Sequence, residues 1–487
     1  MVHPKTTTLL QWAIISALTC TSIWGQSISN GGMQYSQTIV MPTWTNTGTT
    51  QANFDLFAFN PRTRVMYVAD RANHGITAID ARSNVAIGYM AMPNGSSPNG
   101  VLVAPDLQKL AVTDGRNSLW VWDLRLPGSA PQQYTIPNIT SGTDAFDYDL
   151  YNKTVYLING TAPYYISGVN LLTQAVTSQL KLPGSPELNR FNTVDGMIYQ
   201  VITDGDNQNK GAGVVAYDPV ANAITATYLT PNCVPHGIDI DPISNVALLG
   251  CGTNQGQIMM NLKDGTIMKT FSDVTGSDLL VFNPNNRRFY TGSGSNVSTT
   301  TNCPADSTKS VPIVGIFDGL LSGGVPVARL DGVACSGRNG HGLGVDPIEN
   351  FVYVGTRQYP ADPNSATTGQ PGVLVFIDST PPAQPLTAKT QAVLKSLGGN
   401  SAQATVNTAI DGRVVRIDAF PTGVSGMTAL LVFATTVGYE SVDCAVDTAS
   451  SKAVCGGDLV GDPLIGSMVT LAVDGVPAAR GPVAAAQ

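Results

Sequence analysis

Charge is scarce in this chain of 487 residues: 12% are Asp, Glu, Lys or Arg, and the formal net charge is −8. Nucleic acid and anionic membrane surfaces are held by clustered Lys and Arg, so neither is expected as a partner. The chain also lacks a Gly-x-x-x-x-Gly-Lys phosphate loop, a Cys-x-x-Cys-His haem site, a His-Glu-x-x-His zinc motif and a Gly-x-Ser-x-Gly nucleophile elbow. No stretch is apolar for long enough to span a bilayer. Histidine is rare, with four in the whole sequence.

Residues 1–25 carry Lys5, a short apolar run from Leu9 to Leu18 and a cleavage-like Ile23-Trp24-Gly25, which together read as a cleaved export signal. The mature protein is therefore expected to be secreted or periplasmic.

What the chain does have is a repeat. The segment His236-Gly-Ile-Asp-Ile-Asp-Pro242 returns as His341-Gly-Leu-Gly-Val-Asp-Pro347, and altered copies begin at Asp55, Asn99, Asp144, Asn189 and Asp278. By subtraction the spacings are 44, 45, 45, 47, 42 and 63 residues. In each copy a polar residue opens a short strand, and bulky residues alternate with smaller ones such as Ala58, Gly237 and Gly344. A period in the forties with four strands per unit is that of a propeller blade, so the fold expected is all-β: a seven-bladed β-propeller over residues 33–380. The last repeat lacks a fourth strand. The segment from Met33 to Pro42 ends in Met-Pro as the outer strand of the first repeat does, so it is assigned there as the closing strand.

Val-Tyr-Val-Gly-Thr at 352–356 and Met-Tyr-Val-Ala-Asp at 66–70, with the His-Gly-Ile-Asp-Ile-Asp-Pro segment, resemble the YVTN/NHL-type seven-bladed propellers. That resemblance covers about residues 33–380 and implies fold more than function, since such propellers include lyases, lactonases, electron-transfer subunits and proteins that only bind. The lactonases would be expected to hold calcium with carboxylates and Asn, and this repeat position has more His than that pattern.

Six cysteines remain after the signal, an even number that suits disulfides in an exported protein. The strand assignment pairs Cys233 with Cys251 and Cys303 with Cys335, which leaves Cys444 with Cys455. After a Pro-rich linker at 381–386, residues 387–480 alternate in short runs and read as a small β-sandwich-like domain. Residues 481–487 read as a disordered tail.

The seven opening residues should converge at the mouth of the propeller channel: Asp55, Asn99, Asp144, Asn189, His236, Asp278 and His341. His236, Asp278 and His341 could hold a divalent ion such as Zn²⁺ or Ca²⁺, or supply a general acid and base. Loop residues Arg71, Arg116, Arg338 and Arg357 on the same face suit a carboxylate-bearing ligand. Two functions follow. One is an exported protein that binds a glycan, an acidic small molecule or an extracellular protein, with the C-terminal domain as an accessory docking module. The other is a metal-assisted lyase or hydrolase working through His236, Asp278 and His341.

Overall fold

Among the described residues, the strands up to Asp378 build seven four-stranded antiparallel sheets and one two-stranded sheet, Leu321–Ser322 with Val325–Pro326. The computed structural model describes residues 29–485 except 43–52, 205–210, most of 299–309, 319–320, 323–324, 327, 358–371, 384–389, 397–402, 409–413, 422–427, 448–451 and 466. The expected export signal lies outside the described residues, as do residues 384–386 of the linker. Among the described residues no helix is long and apolar enough to cross a membrane.

Sheets 1 to 7 are numbered by their first strands: Phe54–Asn60, Val101–Ala104, Thr143–Asp149, Pro186–Asn192, Pro235–Asp241, Leu279–Asn283 and Leu343–Asp346. First strands of successive sheets lie side by side, and that of sheet 7 lies beside that of sheet 1. The outer strand of sheet 7 is Met33–Val40, paired from Met33↔Asp378 to Val40↔Gly372. Bulky residues on one sheet press on small ones of its neighbour. A Cβ added at Gly100 would collide with Phe146, one at Gly237 with Leu280, and one at Gly344 with the Cβ of Phe57.

The turn after the first strand is built one way in every sheet but the second, whose first strand closes on Ala104. A closing Asn or Asp accepts the backbone N–H two residues on: Arg62 N to Asn60 Oδ1 at 3.0 Å, Tyr151 N to Asp149 Oδ1 at 2.8 Å, Ile243 N to Asp241 Oδ1 at 2.9 Å and Ile348 N to Asp346 Oδ1 at 2.8 Å. This is the Asx turn that makes these residues strand terminators. Four residues after the closing position the backbone is left-handed, with φ of 58° at Arg64, 53° at Lys153, 54° at Asn245, 57° at Arg287 and 56° at Asn350.

That left-handed residue reaches the turn of the preceding sheet. Arg64 Nη2 of sheet 1 lies 3.1 Å from Asp346 Oδ2 of sheet 7. Lys153 Nζ of sheet 3 is 2.5 Å from Asp106 Oδ2 of sheet 2, and Arg287 of sheet 6 pairs with Asp241 of sheet 5. Asn192 Nδ2 donates to Asn245 Oδ1 at 2.7 Å, Asn283 Nδ2 to Asn350 Oδ1 at 3.0 Å and Asn60 Nδ2 to Gln108 Oε1 at 3.5 Å. Only sheet 4 has glycine, Gly196, at the position, and there the Tyr151 hydroxyl donates to Thr193 O instead. Every junction, 7 to 1 included, thus carries a polar link on the turn face.

The C-terminal strands correct one expectation. They form a closed eight-stranded barrel rather than a sandwich. The last strand, Val476–Ala485, pairs with Met468–Val473 on one side and with Thr390–Ser396 on the other, so no edge is left open. The residues after Arg480, expected to be a disordered tail, belong to that strand as far as Ala485, and Val483 is buried. Cys233–Cys251, Cys303–Cys335 and Cys444–Cys455 lie at disulfide distance, with Cα separations of 5.2, 5.3 and 4.0 Å.

Replacing Arg64 by Met should cost about 2 kcal/mol, because it leaves the buried Asp346 carboxylate without its cation. Arg82→Ala, which removes an exposed partner of Asp80, should cost less than about 0.5 kcal/mol. Urea unfolding of both variants checks this. Equal small effects would mean that sheets 7 and 1 are not clamped together.

Candidate functional site

The mouth is made by irregular strand starts. In sheets 1, 3, 4 and 5 the register of the first strand jumps between Phe54 and Phe57, Thr143 and Phe146, Pro186 and Asn189, and Pro235 and Gly237. Such a bulge takes a residue out of the ladder and re-aims its side chain. The residues so released are led by Asp55, Asp144, Glu187 and His236, while Asn99, Asp278 and His341 enter the other three sheets at the same place, five residues before the end of each first strand.

Asn189 is therefore not the ring residue of sheet 4; Glu187 is. Asn189 pairs with Gln200, is fully buried and donates through Nδ2 to Tyr156 O at 3.0 Å. Reading the repeat two residues late keeps every side chain on its face, because the strand period is two, so alternation cannot reveal the slip. The closing residue can. Asn192 follows Glu187 by five positions, as Asp149 follows Asp144.

Each histidine leans toward the carboxylate of an adjacent sheet. His341 Nε2 is 4.0 Å from Asp55 Oδ1, and His236 Nδ1 is 3.8 Å from Glu187 Oε1. Asp55 also forms an ion pair with Arg71. Burial pushes the Asp55 carboxyl up to about 7, against the pull of Arg71 and with the help of Asp278. Asp144 is also pushed up to about 7, first by burial and then by the charge of Asp55, with Arg71 opposing and Asp278 adding. Glu187 rises to about 8 through burial and the charges of Asp278, Asp144 and Asp55. Burial lowers His341; Asp278 works against this, while Arg71 and Arg357 add to it. Groups on sheets 1, 3, 4, 6 and 7 thus feel one another across one space.

The four arginines divide. Arg71 is engaged by Asp55, and Arg357 donates through Nη2 to Asn53 Oδ1 at 2.8 Å, whereas Arg116 and Arg338 are exposed. Asn99 donates through Nδ2 to Thr143 O at 3.3 Å, linking sheets 2 and 3. His236, Asp278 and His341 do not form one ligand set: among the described residues no group of three or more His, Cys, Asp or Glu is arranged to hold a metal ion. Instead the histidines are split between Asp55 and Glu187. Carboxyls that titrate near neutrality can donate as well as accept hydrogen bonds, which suits hydroxyl-rich ligands and proton transfer alike.

Below the mouth, at the place where sheets 1 and 7 carry the small residues Ala58 and Gly344, sheets 3 to 5 form a charged belt. Asp147 Oδ2 accepts Phe191 N at 2.6 Å and Asp239 Oδ2 accepts Phe282 N at 2.7 Å, each across to the next first strand, whose inner N–H groups have no ladder partner. Arg190 Nε donates to Asp239 Oδ1 at 3.1 Å. These three residues stand at the place of Ala58 in sheet 1, three after the ring position, and the charges Asp, Arg, Asp on consecutive repeats were the available signal.

No family model matches the chain, and no curated protein does. Among solved structures it is similar to a chain in the crystal structure of a mitotic checkpoint complex, with a TM-score of 0.50 and 11% identity, covering 77% of this chain and all but 1% of that one. At that identity the likeness shows fold alone. Together with the repeated four-stranded sheets it makes this chain a β-propeller.

The raised carboxyls make stability depend on pH. In the unfolded chain Asp and Glu lose their protons near 3.8 and 4.5, but in the fold Asp55, Asp144 and Glu187 hold theirs to about 7, 7 and 8. The folded state then binds more protons, so their contribution to stability falls as pH rises through that window. Glu187→Gln should lessen the drop in urea midpoint between about pH 5 and 8. An unchanged drop would contradict the shift.

Proposed function

We propose that the seven sheets close into a seven-bladed ring of the YVTN/NHL type, exported from the cell, which binds a polar ligand at the channel mouth. The polar links at every junction and the pairing of Met33–Val40 with Gly372–Asp378 support the ring. Three disulfides support an oxidising, extracellular or periplasmic setting.

The observation that carries the binding reading is the convergence of Asp55, Asp144, Glu187, Asp278 and two histidines at one end of the first strands. Carboxylates and imidazoles bind sugar hydroxyls or polar peptide groups. A glycan or an extracellular protein fits this mouth better than an acidic small molecule, because Arg71 is already neutralised by Asp55. A lyase or hydrolase is the second reading, favoured by a protonated Glu187 beside His236 as an acid and base at neutral pH.

A glycan array, followed by titration calorimetry on the hits, tests the proposal. Asp55→Asn and Glu187→Gln should each weaken binding by roughly tenfold or more, the loss of about one charged hydrogen bond, while Arg116→Ala should leave it unchanged. Equal binding by all three variants would place the site elsewhere. Product formation from a bound glycan, lost in Glu187→Gln, would favour the enzyme.

A further inference from the structure

We propose that the C-terminal barrel is the fixed floor of the propeller channel, and not a separate docking module. It lies against the turns of sheets 3 to 6, at the end of the first strands away from the mouth. Leu430, Val432 and Ala472 of the barrel belong to the same buried apolar cluster as Leu150 and Tyr151 of the propeller. At Gly475, in a barrel turn with φ of 78°, an added Cβ would collide with Asn152 of sheet 3. Pro477 packs over Gly196 of sheet 4, with its Cγ 3.9 Å from where a Cβ would stand. Lys153, the cation that links sheets 2 and 3, also donates to Ser441 Oγ of the barrel at 3.4 Å.

Tyr439 is the barrel residue that reaches the belt. Burial raises its phenol, and the phenol also feels Asp239 and Asp147, the two acids of the belt. It lines, with Asp239, Ile240, Phe282 and Leu464, a mainly apolar cavity of about 110 Å³ between the two domains. A barrel that shares core, glycine contacts and a polar link with the propeller buries a surface that a tethered module would leave to solvent. The consequence rests on the mouth being the binding site: ligand then enters and leaves from the mouth alone. The docking itself does not depend on that reading.

Hydrogen exchange on the full chain separates the two. In the wild type, peptides spanning 150–154 and 192–198 should be protected. In Gly475→Val they should exchange roughly tenfold faster or more, as expected when a buried surface opens locally. Gly95→Ala is the control, since it strains an exposed left-handed glycine at φ of 63° with nothing within 4 Å, away from the barrel; it should leave both peptides protected. If Gly475→Val does not fold, Tyr439→Ala, which leaves the backbone unstrained, is read in the same way. Wild-type peptides that exchange as freely as the exposed turn at Leu126, or that are unmoved by either variant, would overturn the proposal. Such a result would leave ligand binding at the mouth standing.

Discussion

Seven sheets stand side by side only if something holds each to the next, and here that is, at six of the seven junctions, a left-handed residue reaching back to the turn of the preceding sheet. The conformation costs energy in a side-chain-bearing residue, so it persists where the surroundings fix it. In return it points Arg64, Lys153, Asn245, Arg287 and Asn350 at acceptors or donors on the preceding sheet. Apolar faces supply most of the burial, but such contacts are non-directional. The polar links set the register of sheet against sheet, and the opposite ends of the same strands then meet at a common mouth.

That convergence explains the electrostatics. Carboxylates entering from several sheets are buried together with less positive charge than would neutralise them, so burial first and their mutual repulsion second raise Asp55, Asp144 and Glu187, and burial lowers His341. The belt of Asp147, Arg190 and Asp239 meets the same constraint differently. There each acid satisfies a backbone N–H that the ladder leaves free, and Arg190 supplies the countercharge. The first arrangement leaves groups able to change protonation, which is what a functional site needs; the second is spent on holding the inner strands.

Much of this was legible in the residues. Spacing located the first strands, the Met-Pro ending matched Met33–Val40 to its partner strand, and the hairpin centred near Pro242 set Cys233 opposite Cys251. The ring position of sheet 4 was lost because a slip of two residues is invisible to alternation, and only the closing Asn192 distinguishes Glu187 from Asn189. A sandwich and a barrel share the same alternating strands. What separates them is the pairing of Thr390–Ser396 with the last strand, a contact between residues some ninety positions apart that no local pattern encodes. The expected metal centre failed for a similar reason: repeat position shows that two histidines share a ring, but not that each leans toward a different carboxylate.

The chain contains three glutamates, Glu187, Glu349 and Glu440, so glutamate labelled with ¹³C at the carboxyl gives a spectrum simple enough to titrate residue by residue. Glu187→Gln assigns its own signal. That signal is expected to titrate near 8, displaced by its own burial and by the acids around it. A midpoint near the ordinary 4.5 would mean that the first strands do not bring their carboxylates to one mouth, and the site drawn from them would fall.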